Sequence, residues 1–208
     1  MKVGTDGTLL GAWARGGKRI LDVGTGTGLI ALMMAQRFPD ALLTGIDIDG
    51  EAVVQARENV AASPFASRVS IELKDFSLMT PADCGLYDAI VSNPPFFADS
   101  LRSPDARRSL ARHTSTLTYR QLMGRAWQLL APHGELSVVV PADSCRLMES
   151  EALLAGFFMV RHCMVRTTAS KPPKRAMMAF RKHSAPTEHS ELTIGSAEYT
   201  ELTKDFYL

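Results

Sequence analysis

The chain alternates short apolar runs with segments whose apolar residues recur every three to four positions, the pattern of strands alternating with amphipathic helices. The apolar runs predict strands at Arg19–Val23, Ala41–Asp47, Val69–Leu73, Tyr87–Ser92, Glu135–Val140, Phe157–Thr167 and Arg175–Lys182. The helical period predicts helices from Thr5 to about Ala14, with Thr5 or Asp6 as N-cap, from Leu29 to Phe38, from Asp49 to Ala62, from Tyr119 to Leu130 and around Ser144 to Ala155. Pro39 and Pro64 stop the second and third helices, because proline has no N–H for the next turn. This order predicts an α/β architecture: a doubly wound, mostly parallel seven-stranded sheet with an antiparallel C-terminal strand. The 208 residues carry no internal repeat and no linker-like stretch, so one domain spanning 1–208 is expected.

Composition excludes more than it selects. A hydrophobic share of 46% and a charged share of 22% are ordinary for a globular protein, and no apolar run is long enough to span a bilayer. The Lys2-containing start does not read as a signal peptide. Cys84, Cys145 and Cys163 are widely spaced, and neither they nor the histidines show ligand spacing, so no metal is expected and a reducing cytoplasm fits. The net charge of +1 hides a segregation. From Asp40 to Asp88 nine acids face three bases, whereas between Glu151 and Glu188 there is no acid at all. That second stretch holds Arg161, Arg166, Lys171, Lys174, Arg175, Arg181 and Lys182, and Arg102, Arg107, Arg108 and Arg112 cluster upstream. Such a distribution suits a polyanion such as nucleic acid, although solvated surface gives the same pattern.

The candidate chemistry lies where strands end. Asp22-Val23-Gly24-Thr25-Gly26-Thr27-Gly28 joins the first strand to a helix, the context of a nucleotide-type cofactor loop. Its spacing is G-x-G-x-G rather than the G-x-G-x-x-G of dinucleotide binders. Asp22 would repel a pyrophosphate yet welcome the α-ammonium of S-adenosylmethionine, so that cofactor is favoured over NAD. Asp47, ending the second strand, is placed to accept from two ribose hydroxyls; a helix-capping role is the alternative, which Asp49 fills better. Asp75 can accept from the adenine amino group, and Phe76 can cover the ring. Asn93-Pro94-Pro95-Phe96 follows the fourth strand. Asn93 Oδ1 and the Pro94 carbonyl can accept from one amino group while Phe96 stacks on the ring that bears it. Taken alone, N-P-P-F fits a rigid turn with a core phenylalanine equally well.

With these motifs together, the chain resembles the class I S-adenosylmethionine-dependent methyltransferases, which are Rossmann-like. Met1–Gly7, the N-P-P-F-F stretch, Ala111-Arg112-His113-Thr114, Lys174-Arg175 and the Leu202–Leu208 tail are similar to the bacterial family that N6-methylates adenosine-37 in valine tRNA. The resemblance covers nearly the whole chain. It implies Asn93, Pro94 and Phe96 as catalytic residues. It implies Thr5, Asp22, Gly24, Gly26, Gly28, Asp47, Ile48, Asp75, Phe76 and Asn93 around the cofactor. Arg102, Arg107, Arg108, Arg112, His113, Lys171, Lys174 and Arg175 would face tRNA, and the enzyme would act as a monomer or weak dimer. Members of that family carry a short aromatic and basic segment ahead of M-K-V-G-T-D; its absence here is expected to leave cofactor closure and the RNA surface incomplete. Other planar amines use the same clamp: a ribosomal RNA guanine or adenine, a DNA adenine, a protein glutamine. A catalytically silent RNA-binding module is the reading from another class, opposed by the intact Asp22, Asp47, Asp75 and Asn93.

Overall fold

The computed structural model describes residues 4–94 and 117–206. Helix α1 (Thr5–Trp13) leads into β1 (Arg19–Val23), α2 (Leu29–Arg37), β2 (Leu42–Asp47), α3 (Gly50–Ala61), β3 (Val69–Leu73), the short α4 (Pro81–Cys84) and β4 (Tyr87–Ser92). Further on come α5 (Tyr119–Leu129), β5 (Leu130–Pro141), α6 (Cys145–Ala155), β6 (Phe158–Arg166), β7 (Arg175–Arg181), β8 (Glu188–Thr193) and α7 (Ala197–Thr203).

The described strands form one sheet in the order β3-β2-β1-β4-β5-β7-β6-β8. β1 to β5 pair in parallel, β7 runs antiparallel to both of its neighbours, and β8 lies parallel to β6. Alternate residues of each strand feed opposite layers. Ile20, Leu43 and Val91 pack with Leu10, Met34 and Val53 beneath α1, α2 and α3. Leu21, Ile90 and Val138 pack with Leu122, Ala126 and Met148 beneath α5 and α6. Parallel pairs of this kind are covered on both faces, which explains why their strands read as nearly unbroken apolar runs.

The register brings the strand ends level: Val23 sits opposite both Ile46 and Ser92, Asp47 opposite Leu73, and Ser92 opposite Val138. From β1 the chain winds outward through β2 and β3, then returns to start again on β1's other side with β4. That reversal leaves a crevice at the carboxyl ends of β1 and β4, the place where sheets of this type hold ligands.

Three expectations are corrected, and one helix is found where none was predicted. The sheet has eight strands rather than seven, because Glu188–Thr193 adds a polar edge strand whose residues, Leu192 apart, stay largely accessible. An edge strand is held by backbone pairing to one neighbour and needs no apolar pattern. The tail forms α7, capped by Ser196, whose hydroxyl accepts from Tyr199 N at 3.2 Å. Neither Thr5 nor Asp6 caps α1; Gly4 stands at that position without a side-chain bond. Finally, β5 begins at Leu130 instead of Glu135 and bulges at residues 131–134, since pairing jumps from Tyr87↔Leu130 to Ala89↔Glu135.

Candidate active site

The glycine loop is built by its own sequence and by the neighbouring strand. Gly24, Gly26 and Gly28 have φ of 70°, 56° and 81°, a region that side chains with a Cβ rarely enter. The N–H groups of Gly24 and Thr25 both donate to Ile46 O at 2.9 Å, bending the loop over the end of β2. At Gly24 and Gly26 a Cβ would meet nothing within 4 Å among the described residues, so the backbone there faces open space.

Two carboxylates lock that shape. Asp22, 1% exposed, accepts on Oδ2 from Thr25 Oγ1 at 2.7 Å and from Ala31 N at 3.1 Å, tying loop and helix start together. Its Oδ1 is buried without a hydrogen-bond partner among the described residues. Burial pushes the Asp22 carboxyl up to about 7, against the two hydrogen bonds and with some help from the charge of Asp47. Asp47 accepts from Gly26 N at 2.9 Å on one oxygen and from Asp49 N at 3.0 Å on the other. Asp49, not Asp47, caps α3 by accepting from Glu51 N at 2.9 Å.

Along the same rim, Ile48 is 47% exposed. Asp75 caps the 3-10 turn Phe76–Leu78 by accepting from Ser77 N at 2.8 Å. Phe76 is only 4% exposed and belongs to the core cluster that includes Ile46 and Met79, so its ring packs inward. The expectation that it covers a cofactor ring is thereby corrected; among the described residues, exposed apolar side chains at that rim include Ile48, Leu73 and Leu78. Asn93 and Pro94 follow β4 directly, with Pro94 buried and Asn93 Oδ1 buried and unpartnered among the described residues. Thr5 is exposed at the start of α1. Phe96, Arg102, Arg107, Arg108, Arg112 and His113 lie outside the described residues.

The Methyltransferase small domain family matches residues 8–168. A tRNA1(Val) (adenine(37)-N6)-methyltransferase of Phocaeicola vulgatus is 46% identical over 216 residues, an alignment covering 100% of this chain and 91% of that protein. The chain belongs to the tRNA1(Val) (adenine(37)-N6)-methyltransferase family. Solved methyltransferases share its fold at much lower identity. A predicted O-methyltransferase from Agrobacterium tumefaciens superposes with a TM-score of 0.71 at 18% identity, covering 96% of each chain. A glycopeptide N-methyltransferase complexed with S-adenosyl-L-methionine gives 0.61 at 10% identity, covering 86% of this chain and 95% of its own.

For this member of the methyltransferase family, the basic stretch reads differently in three dimensions than along the chain. Arg161 and Arg181 both bind Glu135, at 3.0 and 2.8 Å, on the amino edge away from the crevice. Arg166 pairs with Glu191 at 3.0 Å, and Arg175 with Asp6 at 2.8 Å. The acids that the stretch lacks therefore arrive from α1, β5 and β8. Lys171 and Lys174 are exposed in the loop between β6 and β7, at the carboxyl edge that also carries Asn93.

Three positions of the methyltransferase site escaped the sequence reading. Ser92 Oγ donates to Val23 O at 2.9 Å and ties β4 to β1 just below Asn93; a lone polar residue closing an apolar strand is its signal. Thr25 is the hydroxyl donor to Asp22. Gly45 makes room for it, since a Cβ there would lie 2.7 Å from Thr25 Oγ1 and from Ile71 Cδ1. Among the described residues no helix is long and apolar enough to cross a membrane, and no group of three or more His, Cys, Asp or Glu could hold a metal.

Proposed function

We propose that this chain transfers a methyl group from S-adenosyl-L-methionine to N6 of adenosine-37, 3′ of the anticodon in valine tRNA. The observation that carries the reading is Asn93 Oδ1, a buried acceptor with no partner among the described residues, at the carboxyl end of β4 beside the glycine loop. A buried acceptor left unsatisfied costs about 1–3 kcal/mol, and an exocyclic amine supplies the missing donor. The near-full-length kinship to tRNA adenine-N6 methyltransferases supports adenine as its bearer.

The residues present fit the cofactor. Gly24 and Gly26 offer backbone with open space, Asp47 sits at the rim with carboxylate lone pairs for ribose hydroxyls, and the orphaned Asp22 Oδ1 is an acceptor for an ammonium group. When bound, S-adenosylmethionine supplies an electrophilic methyl group on a sulfonium. Asn93 Oδ1 and the Pro94 carbonyl hold the two amine hydrogens, directing the nitrogen lone pair across the crevice, so that catalysis rests on orientation and fixed dipoles. Phe96 stacks on the base, and Lys171 and Lys174 meet tRNA phosphates together with Arg102, Arg107, Arg108, Arg112 and His113. The enzyme works as one domain, as a monomer or weak dimer, in the cytoplasm with its substrate.

The test is incubation with unmodified tRNA and methyl-labelled cofactor, followed by mapping of the labelled nucleoside. Label in N6-methyladenosine at position 37 of valine tRNA is the expected result. Label in another nucleoside, or none with folded protein, overturns it.

A further inference from the structure

Arg175 carries a contact that a phosphate-gripping residue has no need of. Its Nε donates to Asp6 Oδ2 at 2.8 Å, and its Nη1 to Lys174 O at 3.0 Å. The two ends of the ion pair are 169 residues apart in sequence. Arg175 is the first residue of β7, opposite Pro141 of β5 and Val165 of β6, and therefore sits at the carboxyl edge. Asp6 lies in the first turn of α1, whose next residue, Gly7, packs on the first turn of α2: a Cβ there would stand 3.3 Å from Leu29 Cδ2 and 3.7 Å from Ile30 Cγ1. Leu29 immediately follows Gly28, whose N–H donates to Thr25 O within the glycine loop at 2.9 Å. An unbroken path of contacts thus runs from the sheet edge through Arg175, Asp6 and Gly7 to the glycine loop.

We infer that Arg175 is a positioning residue for the cofactor loop: by holding Asp6 it presses the first turn of α1 onto the start of α2, and so acts on cofactor binding rather than on tRNA phosphates. The inference rests on reading the glycine loop as the S-adenosylmethionine site. Both partners are partly exposed, Asp6 at 22% and Arg175 at 34%, so the pair acts as a fastener whose loss loosens one turn without unfolding the domain.

The experiment is calorimetric titration of the folded protein with S-adenosylmethionine for wild type, Asp6→Asn, Arg175→Ala and the double variant, alongside tRNA binding over a salt series. Each single change should weaken cofactor binding by roughly fivefold to tenfold, and the double variant should lose no more than either alone, as coupled contacts do. KM for the cofactor should rise in step while kcat at saturating cofactor stays near wild type. The near-isosteric Asp6→Asn decides the matter even if Arg175→Ala unfolds. A phosphate-gripping Arg175 would be released by that change, giving tighter tRNA binding with a steeper salt dependence and unchanged cofactor affinity; that outcome overturns the inference. Wild type failing to bind the cofactor would instead overturn the reading of the loop.

Discussion

Asp22 and Asn93 share a property: each has one buried oxygen that nothing among the described residues satisfies. For Asp22 the consequence depends on pH. Burial raises its carboxyl from 3.8 to about 7, so between those values the folded protein keeps a proton that the unfolded chain has released. Its contribution to stability is therefore full at low pH, declines as pH rises towards 7, and levels off above. Asp22→Asn should flatten this slope, which urea midpoints measured between pH 5 and 8 will show. Cofactor affinity should move the other way, strengthening through pH 7 as the ionised carboxylate becomes available to an ammonium group; a pH-independent dissociation constant in wild type would count against that role. Asn93→Ala should lower methyl transfer by about 100-fold or more, the usual effect of losing a preorganised dipole. Cofactor affinity measured by calorimetry should stay near wild type, because Gly24, Gly26 and Asp47 serve the cofactor while the Asn93 amide oxygen serves the target amine.

Among the elements, two glycines do opposite work. Gly124 is exposed in the middle of α5, and a methyl group added there would meet nothing within 4 Å among the described residues, so Gly124→Ala should stabilise the protein by about 0.5–1 kcal/mol through chain entropy alone. Gly45 in β2 has Thr25 and Ile71 against it, so Gly45→Ala should destabilise by about 1–3 kcal/mol and weaken cofactor binding by forcing Thr25 off Asp22. Urea titration of both variants checks the contrast. The elements that position the site were legible because each announces itself locally: β1 and β4 as apolar runs, the loop as spaced glycines, α3 by Asp49 at its cap. β8 was not, since Glu-His-Ser-Glu-Leu-Thr carries one buried apolar residue and is held by pairing that only β6 provides. Phe76 misled for a related reason: an aromatic after a strand can face a ligand or the core, and only the turn capped by Asp75 sends it inward.

At the scale of the molecule, charge patterning along the chain gave the sign of the partner but overstated the surface. Of the seven cations between Arg161 and Lys182, four have carboxylates brought to them by distant elements. Lys182 donates to Leu130 O at 2.6 Å and lies over Trp127 on the far edge. Lys171→Ala plus Lys174→Ala should weaken cognate and non-cognate tRNA alike and flatten the log–log salt dependence by about 0.7–0.9 per lost phosphate contact. Lys182→Ala should leave the slope unchanged, and a salt series on both variants distinguishes the two edges.

The tie between Asp6 and Arg175 also sets an order of events in time. It closes a loop of nearly the entire chain, and the first turn of α1 cannot be fastened against α2 until β7 has paired between β5 and β6. Contacts of such long sequence separation form late, because the entropy of closing the loop is lost before any contact repays it. On a ribosome, the glycine loop and β4 emerge first with their first-turn fastener still unmade. A partly synthesised chain therefore holds the recognisable motifs of a methyltransferase well before it has a site able to use them.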